Sequence, residues 1–563
     1  MNMKTLLAAA LAATSFGAFA DFEINLDLGQ KPIKDMRTTG CGPGMGFNGA
    51  MEATFTNIEG NDDVLFVSNR LETADVMRRA GMRLLRLQCM NGWFESRKDR
   101  TKDGRYPATN PKAAFDFYKA NGFKVFVCLE CRREGRVKDC LEIVKWILDN
   151  GYKDVVAGFE MGNETYSDPK YASYAPFWIK FIDEAEKLWP KIPLGLNIGE
   201  YFENDPDVAQ IRKRMMSNQD FTRDWTCDGA YFTAANFNKY SAQFVMAMTN
   251  RLDKIGHIIY HAYGAETPYS CSYYGFKRFR NFVKAFPELA GKKYWLTEIR
   301  FRSDEDNRCQ RYFRETLITA HYALMALCQP ETDAICFHQA SALSGAIHQS
   351  NGRVWYNQWW DGEPWGTRSF SDFASGYDRP RLEVGSVGVF YRLYTEAIME
   401  HPLFLSHGTS KQRDAEDTFY TSARVADQVY RHRRARREGK TGADVPKVEG
   451  EVEWVAATGN GELCLLMVNT KGVAEAARVT VKGCYFCAPV YRTLSCPEKY
   501  VDCRAIPGDG PVWKQVSWED SQFSGAEINM ELYKGIKPKC DVMTVEIAPH
   551  TVQTVTVPIR KRK

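Results

Sequence analysis

The chain has 563 residues, 44% hydrophobic and 26% charged, which suits a large globular domain with a smaller one beside it. A formal charge of +4 is too small to imply a nucleic-acid partner by itself. Beyond the first residues, no run is long and apolar enough to span a bilayer.

Residues 1–20 run from Lys4 through an apolar stretch, Leu6 to Ala13, to Ala18-Phe19-Ala20 before Asp21. That is the pattern of a secretory signal with a small-residue cleavage site, and no cysteine follows the site to suggest a lipoprotein. The expectation is an exported protein, periplasmic or extracellular. Phe22 to Leu28 alternates apolar and polar residues as a half-exposed strand does, and residues 21–35 are assigned to a β-domain formed mainly by the C-terminal part of the chain. The segment Thr38 to Gly49 reads as a first strand breaking into a glycine-rich loop. It lacks the GxGxxG spacing and the acidic residue of a dinucleotide site, so a tight loop lining a pocket is expected, with no organic cofactor.

From there strand and helix patterns alternate, as βα units do. Strands are predicted near Thr39 and at Met82 to Gln88, Lys124 to Leu129, Asp154 to Phe159, Ile192 to Ile198, His257 to Tyr263, Lys293 to Ile299 and Asp333 to His338. Amphipathic segments such as Val137 to Asp149, Tyr174 to Leu188, Gln310 to Leu327 and Val387 to Met399 separate or follow them. This order predicts an α/β chain with a (β/α)8 TIM barrel over residues 36–403, interrupted by a long insert at Phe202 to Met248. Residues 404–450 read as a charged linker containing Arg431 to Arg437, either a solvated loop or a patch for an anionic polysaccharide or membrane surface. Over 451–563, strands at Glu451 to Ala456, Glu462 to Asn469, Ala477 to Val481, Met543 to Ile547 and Thr551 to Ile559 predict a β-sandwich. Of the 16 cysteines, Cys128, Cys140, Cys328 and Cys336 fall in apparent strands and helices as small buried hydrophobes. Cys484, Cys487, Cys496 and Cys503 form the tightest group, open to disulfides, free thiols or zinc.

Chemistry enters at two strand ends. Phe159-Glu160-Met161-Gly162-Asn163-Glu164 closes the fourth barrel strand, and Trp295-Leu296-Thr297-Glu298 closes the seventh. Cleavage of a glycosidic bond with retention needs two carboxyl groups about 5–5.5 Å apart, and Glu164 and Glu298 on opposite sides of a barrel mouth meet that need. Asn163 is placed to donate to a sugar 2-hydroxyl. Arg86, costly if buried unpaired, has Glu298 as its natural partner, and such a pair would keep Glu298 ionised. A neighbouring carboxylate would raise the pKa of Glu164 and suit it to the acid role.

Gly-Asn-Glu ending strand four and Thr-Glu ending strand seven resemble the clan A glycoside hydrolases, retaining (β/α)8 enzymes, over about residues 36 to 403. The appended β-domain is similar to that of the arabinofuranosidase, β-xylosidase and heparanase-like branches. In these, Glu-x-Gly-Asn-Glu is common at the acid/base, matched here by Glu160 to Glu164. The resemblance implies Glu164 as acid/base, Glu298 as nucleophile, Asn163 as the 2-hydroxyl contact and Arg86 as the strand-two arginine. It also implies that His261 and Tyr263 form the strand-six pair whose aromatic hydroxyl touches the nucleophile. Where the clan often carries Trp at the end of strand eight, this chain has Phe337-His338-Gln339, which makes His338 a candidate contact. Trp355 and Trp359 in the following loop, and Trp93 in the strand-two loop, offer flat rings for stacking on sugar faces. Glu130 and Glu200 are read as substrate contacts or structural carboxylates.

The expected protein is therefore a secreted retaining glycoside hydrolase acting on a polysaccharide or oligosaccharide, with no metal and no cofactor. The alternative is a non-catalytic carbohydrate-binding protein on a glycosidase-like barrel. A metal-dependent hydrolase is disfavoured because the strand ends lack a His and Asp cluster in a chain with only 9 His. Sugar, linkage, endo or exo action and oligomeric state stay open, because specificity lies in loop shape.

Overall fold

Eight parallel strands close into a barrel: β1 Met45–Asn48, β2 Leu84–Leu87, β3 Lys124–Leu129, β4 Val156–Met161, β5 Leu194–Asn197, β6 His257–Ala265, β7 Lys293–Arg302 and β8 Thr332–His338. The computed structural model describes residues 20–48, 78–87, 111–198, 240–265, 280, 283–302, 313–338, 347–349, 382–384, 386–411, 450–495, 523–524 and 540–562. The expected signal, most of the insert, Trp93, Glu200, Trp355, Trp359, Arg431 to Arg437, Cys496 and Cys503 lie outside the described residues. Closure is made by β8 pairing with β1, Ile335 opposite Met45. Helices Pro111–Ala120, Glu134–Asp149, Ala175–Leu188, Phe313–Cys328 and Ser386–Glu400 follow the amphipathic segments and carry their apolar faces onto the strands.

Large and small residues alternate inside the barrel. Trp295 on β7 fills the interior with Cys41, Leu84, Phe126, Ala157, Ile259, Ala334 and Cys336. Gly158 and Gly195 are required beside it, since a Cβ on either would lie 2.1 and 2.7 Å from the indole. Deleting a buried ring of this size leaves a cavity that its neighbours fill only in part. Trp295→Ala is therefore expected to cost about 3–5 kcal/mol in denaturant unfolding. A loss under about 1 kcal/mol would mean that the interior collapses around the gap.

The first strand is displaced from its expected place near Thr39. Met36–Thr38 forms a 3-10 turn, and Gly40, Gly42 and Gly44 all take positive φ, so the chain turns through the glycines before β1 rather than after it. Gly46 lies within the strand because a Cβ there would sit 2.3 Å from the carbonyl oxygen of Leu84.

The appended domain has two sheets. The smaller joins Phe22–Leu26, Glu475–Val481 and Val542–Ile547, the first pair parallel. The larger is antiparallel and contains Leu403–Thr409, Val452–Gly459, Glu462–Asn469, Thr551–Lys561 and Val490–Leu494. Its central strands are apolar on both faces for a reason visible in their alternation. Val452, Trp454 and Ala456 face the smaller sheet, while Val455 and Ala457 join the core that continues into the barrel. The expected linker thus loses its first residues: 404–409 belong to a strand that pairs with Val452–Gly459 and with Lys34–Asp35. The polar Ser406-His407 made this strand read as loop, yet His407 is almost wholly buried against Glu453.

Candidate active site

Strand β4 ends in Gly162-Asn163-Glu164, and the local backbone explains that order. Gly162 takes φ +96, and a Cβ there would press on the Thr165 side chain at 2.5 Å. Glu164 itself is left-handed (φ 49, ψ 30), a conformation that costs a non-glycine residue about 1–3 kcal/mol. The 3-10 turn Thr165–Ser167 holds it there, with the Ser167 hydroxyl donating to the Glu164 carbonyl at 2.8 Å. From there the carboxylate reaches His261 and remains 40% exposed.

Arg86 on β2 lies under the mouth with no exposed surface. Its Nε donates to both oxygens of Glu160 at 2.9 Å, and Nη2 donates to Glu160 Oε2 at 2.7 Å. Nη1 donates to Glu298 Oε2 at 3.0 Å, and Nη2 also reaches Asn163 Oδ1 at 2.8 Å. The expected Arg86 and Glu298 pair is present, but Glu160 takes the larger share of the guanidinium. With the Asn163 carbonyl so occupied, its NH2 is the end that can donate to a ligand.

His261 on β6 lies between the two carboxylates. Its Nδ1 is 3.1 Å from Glu164 Oε1 and 3.6 Å from Glu298 Oε2, while Nε2 is 3.3 Å from the Thr297 hydroxyl. Nδ1–H donates to Glu164, and the Thr297 hydroxyl accepts from or donates to Nε2 according to the ring's protonation. Donor atoms of Glu164, His261 and Glu298 all lie within 4.8 Å of one another. A cation would find three donors there, but Glu298 Oε2 already accepts from the fixed charge of Arg86, which opposes a second cation at that oxygen.

The charge on Glu164 differs from expectation. Burial acts to raise its pKa, but the His261 hydrogen bond and charge, Arg86 and the Tyr166 hydroxyl outweigh it and bring the value down to about 2. The neighbouring Glu298 was expected to push the other way. The cationic side chains were the part of the site that sequence spacing did not weigh correctly.

Glu298 is not at a strand end: β7 runs on to Arg302, alongside β6 as far as Ala265. His261 is paired with Glu298 in the sheet register and Tyr263 with Arg300. The backbones of Tyr263 and His338 lie on β6 and at the end of β8, and their side chains are outside what is described. Glu130, just past β3, pairs with Arg132 at 3.3 Å. Glu160 was legible only as a letter of the Glu-x-Gly-Asn-Glu motif. Its signal was a charged residue at an inward position of an otherwise apolar strand.

No family model matches the chain, and no curated protein sequence matches it. Among solved structures it is similar to an α-L-arabinofuranosidase of Thermotoga maritima in complex with arabinose, at 12% identity and TM-score 0.52 over 96% of this chain and 100% of that one. A family 51 α-L-arabinofuranosidase of Bifidobacterium longum matches at 10% identity and TM-score 0.53, over 96% and 100%. A glucosidase of Croceicoccus marinus matches at 9% and 0.51, over 96% and 99%. The likeness is one of fold: a parallel eight-stranded barrel carrying a C-terminal β-sandwich.

Proposed function

We propose that this chain is a retaining glycoside hydrolase, exported, that cleaves glycosidic bonds in a polysaccharide or oligosaccharide by double displacement. The observation that carries the reading is the closeness of Glu164 and Glu298, whose oxygens lie within 4.8 Å across the barrel mouth with His261 between them. That spacing leaves room for one anomeric carbon and none for an intervening water, as retention requires. The fold shared with arabinofuranosidases and a glucosidase supports the same reading.

Glu298 attacks the anomeric carbon and Glu164 protonates the departing oxygen. Glu164 then takes a proton from the water that releases the sugar. The Asn163 amide donates to the 2-hydroxyl, a bond that strengthens as charge develops at the anomeric centre. In the empty site Glu164 is ionised. An aglycone settling on its exposed face removes water and deepens the burial that already acts to raise its pKa, so the acid gains its proton with the substrate.

The test is reducing-sugar release from neutral and acidic polysaccharides and aryl glycosides, with the anomer formed first read by NMR. Cleavage of one substrate class with retention, unchanged by chelator, is the expected result. Inversion, or glycan binding with no turnover across the panel, overturns it, the latter in favour of a binding protein.

A further inference from the structure

We propose that Glu160 is a positioning residue which absorbs the charge of Arg86, so that Arg86 presents Glu298 with a single oriented hydrogen-bond donor rather than a full cation. The inference rests on the double-displacement reading above. Glu160 is fully buried on β4, with no surface open to a ligand. It takes Nε and Nη2 of Arg86 in a fork at 2.7–2.9 Å, leaving Glu298 one bond, from Nη1 at 3.0 Å. Nη2, fixed by this fork, also holds the Asn163 carbonyl at 2.8 Å. Glu160 therefore sets two things at once: the charge felt by the nucleophile and the orientation of the 2-hydroxyl donor.

The reason lies in the nucleophile's two tasks. It must be ionised to attack, yet basic enough for the attack to be productive. A buried guanidinium with only one carboxylate would concentrate its attraction on Glu298 and stabilise the resting carboxylate more than the transition state, in which that charge is being spent. With Glu160 present the cluster of Arg86, Glu160 and Glu298 carries one net negative charge. Among the described residues, Arg86 from β2, Glu164 just past β4 and His261 from β6 lie close to Glu298. The Cys128 and Cys336 thiols lie near the guanidinium from β3 and β8, and burial pushes the Cys336 thiol up, so that it is neutral.

Glu160→Gln removes the charge and keeps the shape. On the substrate that the panel identifies, kcat is expected to fall about 10- to 100-fold with little change in KM. The acidic limb of the kcat/KM profile is expected to move about one pH unit lower, because Arg86 then acts on Glu298 alone. A residue that merely supported the fold would lower activity without moving that limb. Glu160→Asp, which keeps the charge, is expected to leave the limb in place and recover most of the rate, and it decides the matter should Glu160→Gln not fold. A displaced limb in Glu160→Asp, or an unmoved limb in a folded Glu160→Gln, overturns the inference while leaving the glycosidase reading intact. Failure of that reading is separate: a silent wild type, or a Glu298→Gln as active as wild type.

Discussion

Glu298→Gln is expected to lower kcat by about 10⁴-fold or more on every glycoside, whatever its leaving group, because an amide in place of the carboxylate cannot form the glycosyl intermediate. Glu164→Gln is expected to behave differently. On a substrate with a poor leaving group it should lose about 10²- to 10⁴-fold, the usual contribution of a positioned proton donor. On a dinitrophenyl glycoside, whose phenolate departs unaided, the bond-breaking step should be nearly intact and the release of the sugar should become slow, giving a burst. Azide separates the roles further. Added to Glu298→Gly, it attacks the sugar directly in the space vacated by the carboxylate and gives an azide product of inverted configuration. Added to Glu164→Gly, it attacks the intermediate on Glu298 and gives a retained product. Azide products of the opposite stereochemistry would exchange the two assignments, and loss by both variants to the same degree on all leaving groups would argue that neither acts as a proton donor.

Glu164 and Glu298 were readable as candidates in the chain because each lies just past or within an apolar strand of unmistakable pattern. Glu164 comes after Val156–Met161 and Glu298 lies in Lys293–Arg302, and the alternation of helix and strand set them four and seven units along a barrel. What was not readable depended on closure. Glu160 and Arg86 are 74 residues apart and meet only because β2 and β4 both point charged groups into one interior. The ionised state of Glu164 likewise depends on His261, 97 residues away, whose ring nitrogen arrives from β6. A sequence shows which carboxylates stand at the mouth, but their protonation is set by neighbours that the barrel brings together. The strand Leu403–Thr409 was missed for a related reason: its polar residues are inside, satisfied by partners on other elements.

That strand carries one member, His407, of a buried charge cluster at the seam between barrel and sandwich, and disturbing the cluster should have a large effect on stability. Glu453 is fully buried and meets Nδ1 of His321, on the helix Phe313–Cys328, at 2.5 Å and Nε2 of His407 at 2.6 Å. Burial works against charge on Glu453, but His321 and His407 outweigh it and lower its pKa. Burial likewise acts to lower that of His321, and Glu453 raises it. A lowered carboxylate contributes stability that is present above its unfolded value of 4.5 and is lost as pH falls through the folded one. A raised histidine contributes stability that is complete below its unfolded value of 6.5 and is lost as pH rises through the folded one. Both contributions are therefore complete between pH 4.5 and 6.5, and unfolding measured across pH should be hardest in that window. Glu453→Gln takes from the buried His321 the carboxylate that raises its pKa, and is expected to cost about 3–5 kcal/mol in denaturant unfolding at pH 5.5 and to flatten the dependence on both sides. Replacing Glu453 and both histidines together by apolar residues of similar volume should recover most of that loss, since the cost lies in the uncompensated charge rather than in the missing pair. Should the single substitution cost under about 1 kcal/mol, the seam is wet enough to solvate the imidazoles, and the cluster is not what fixes the sandwich against the barrel.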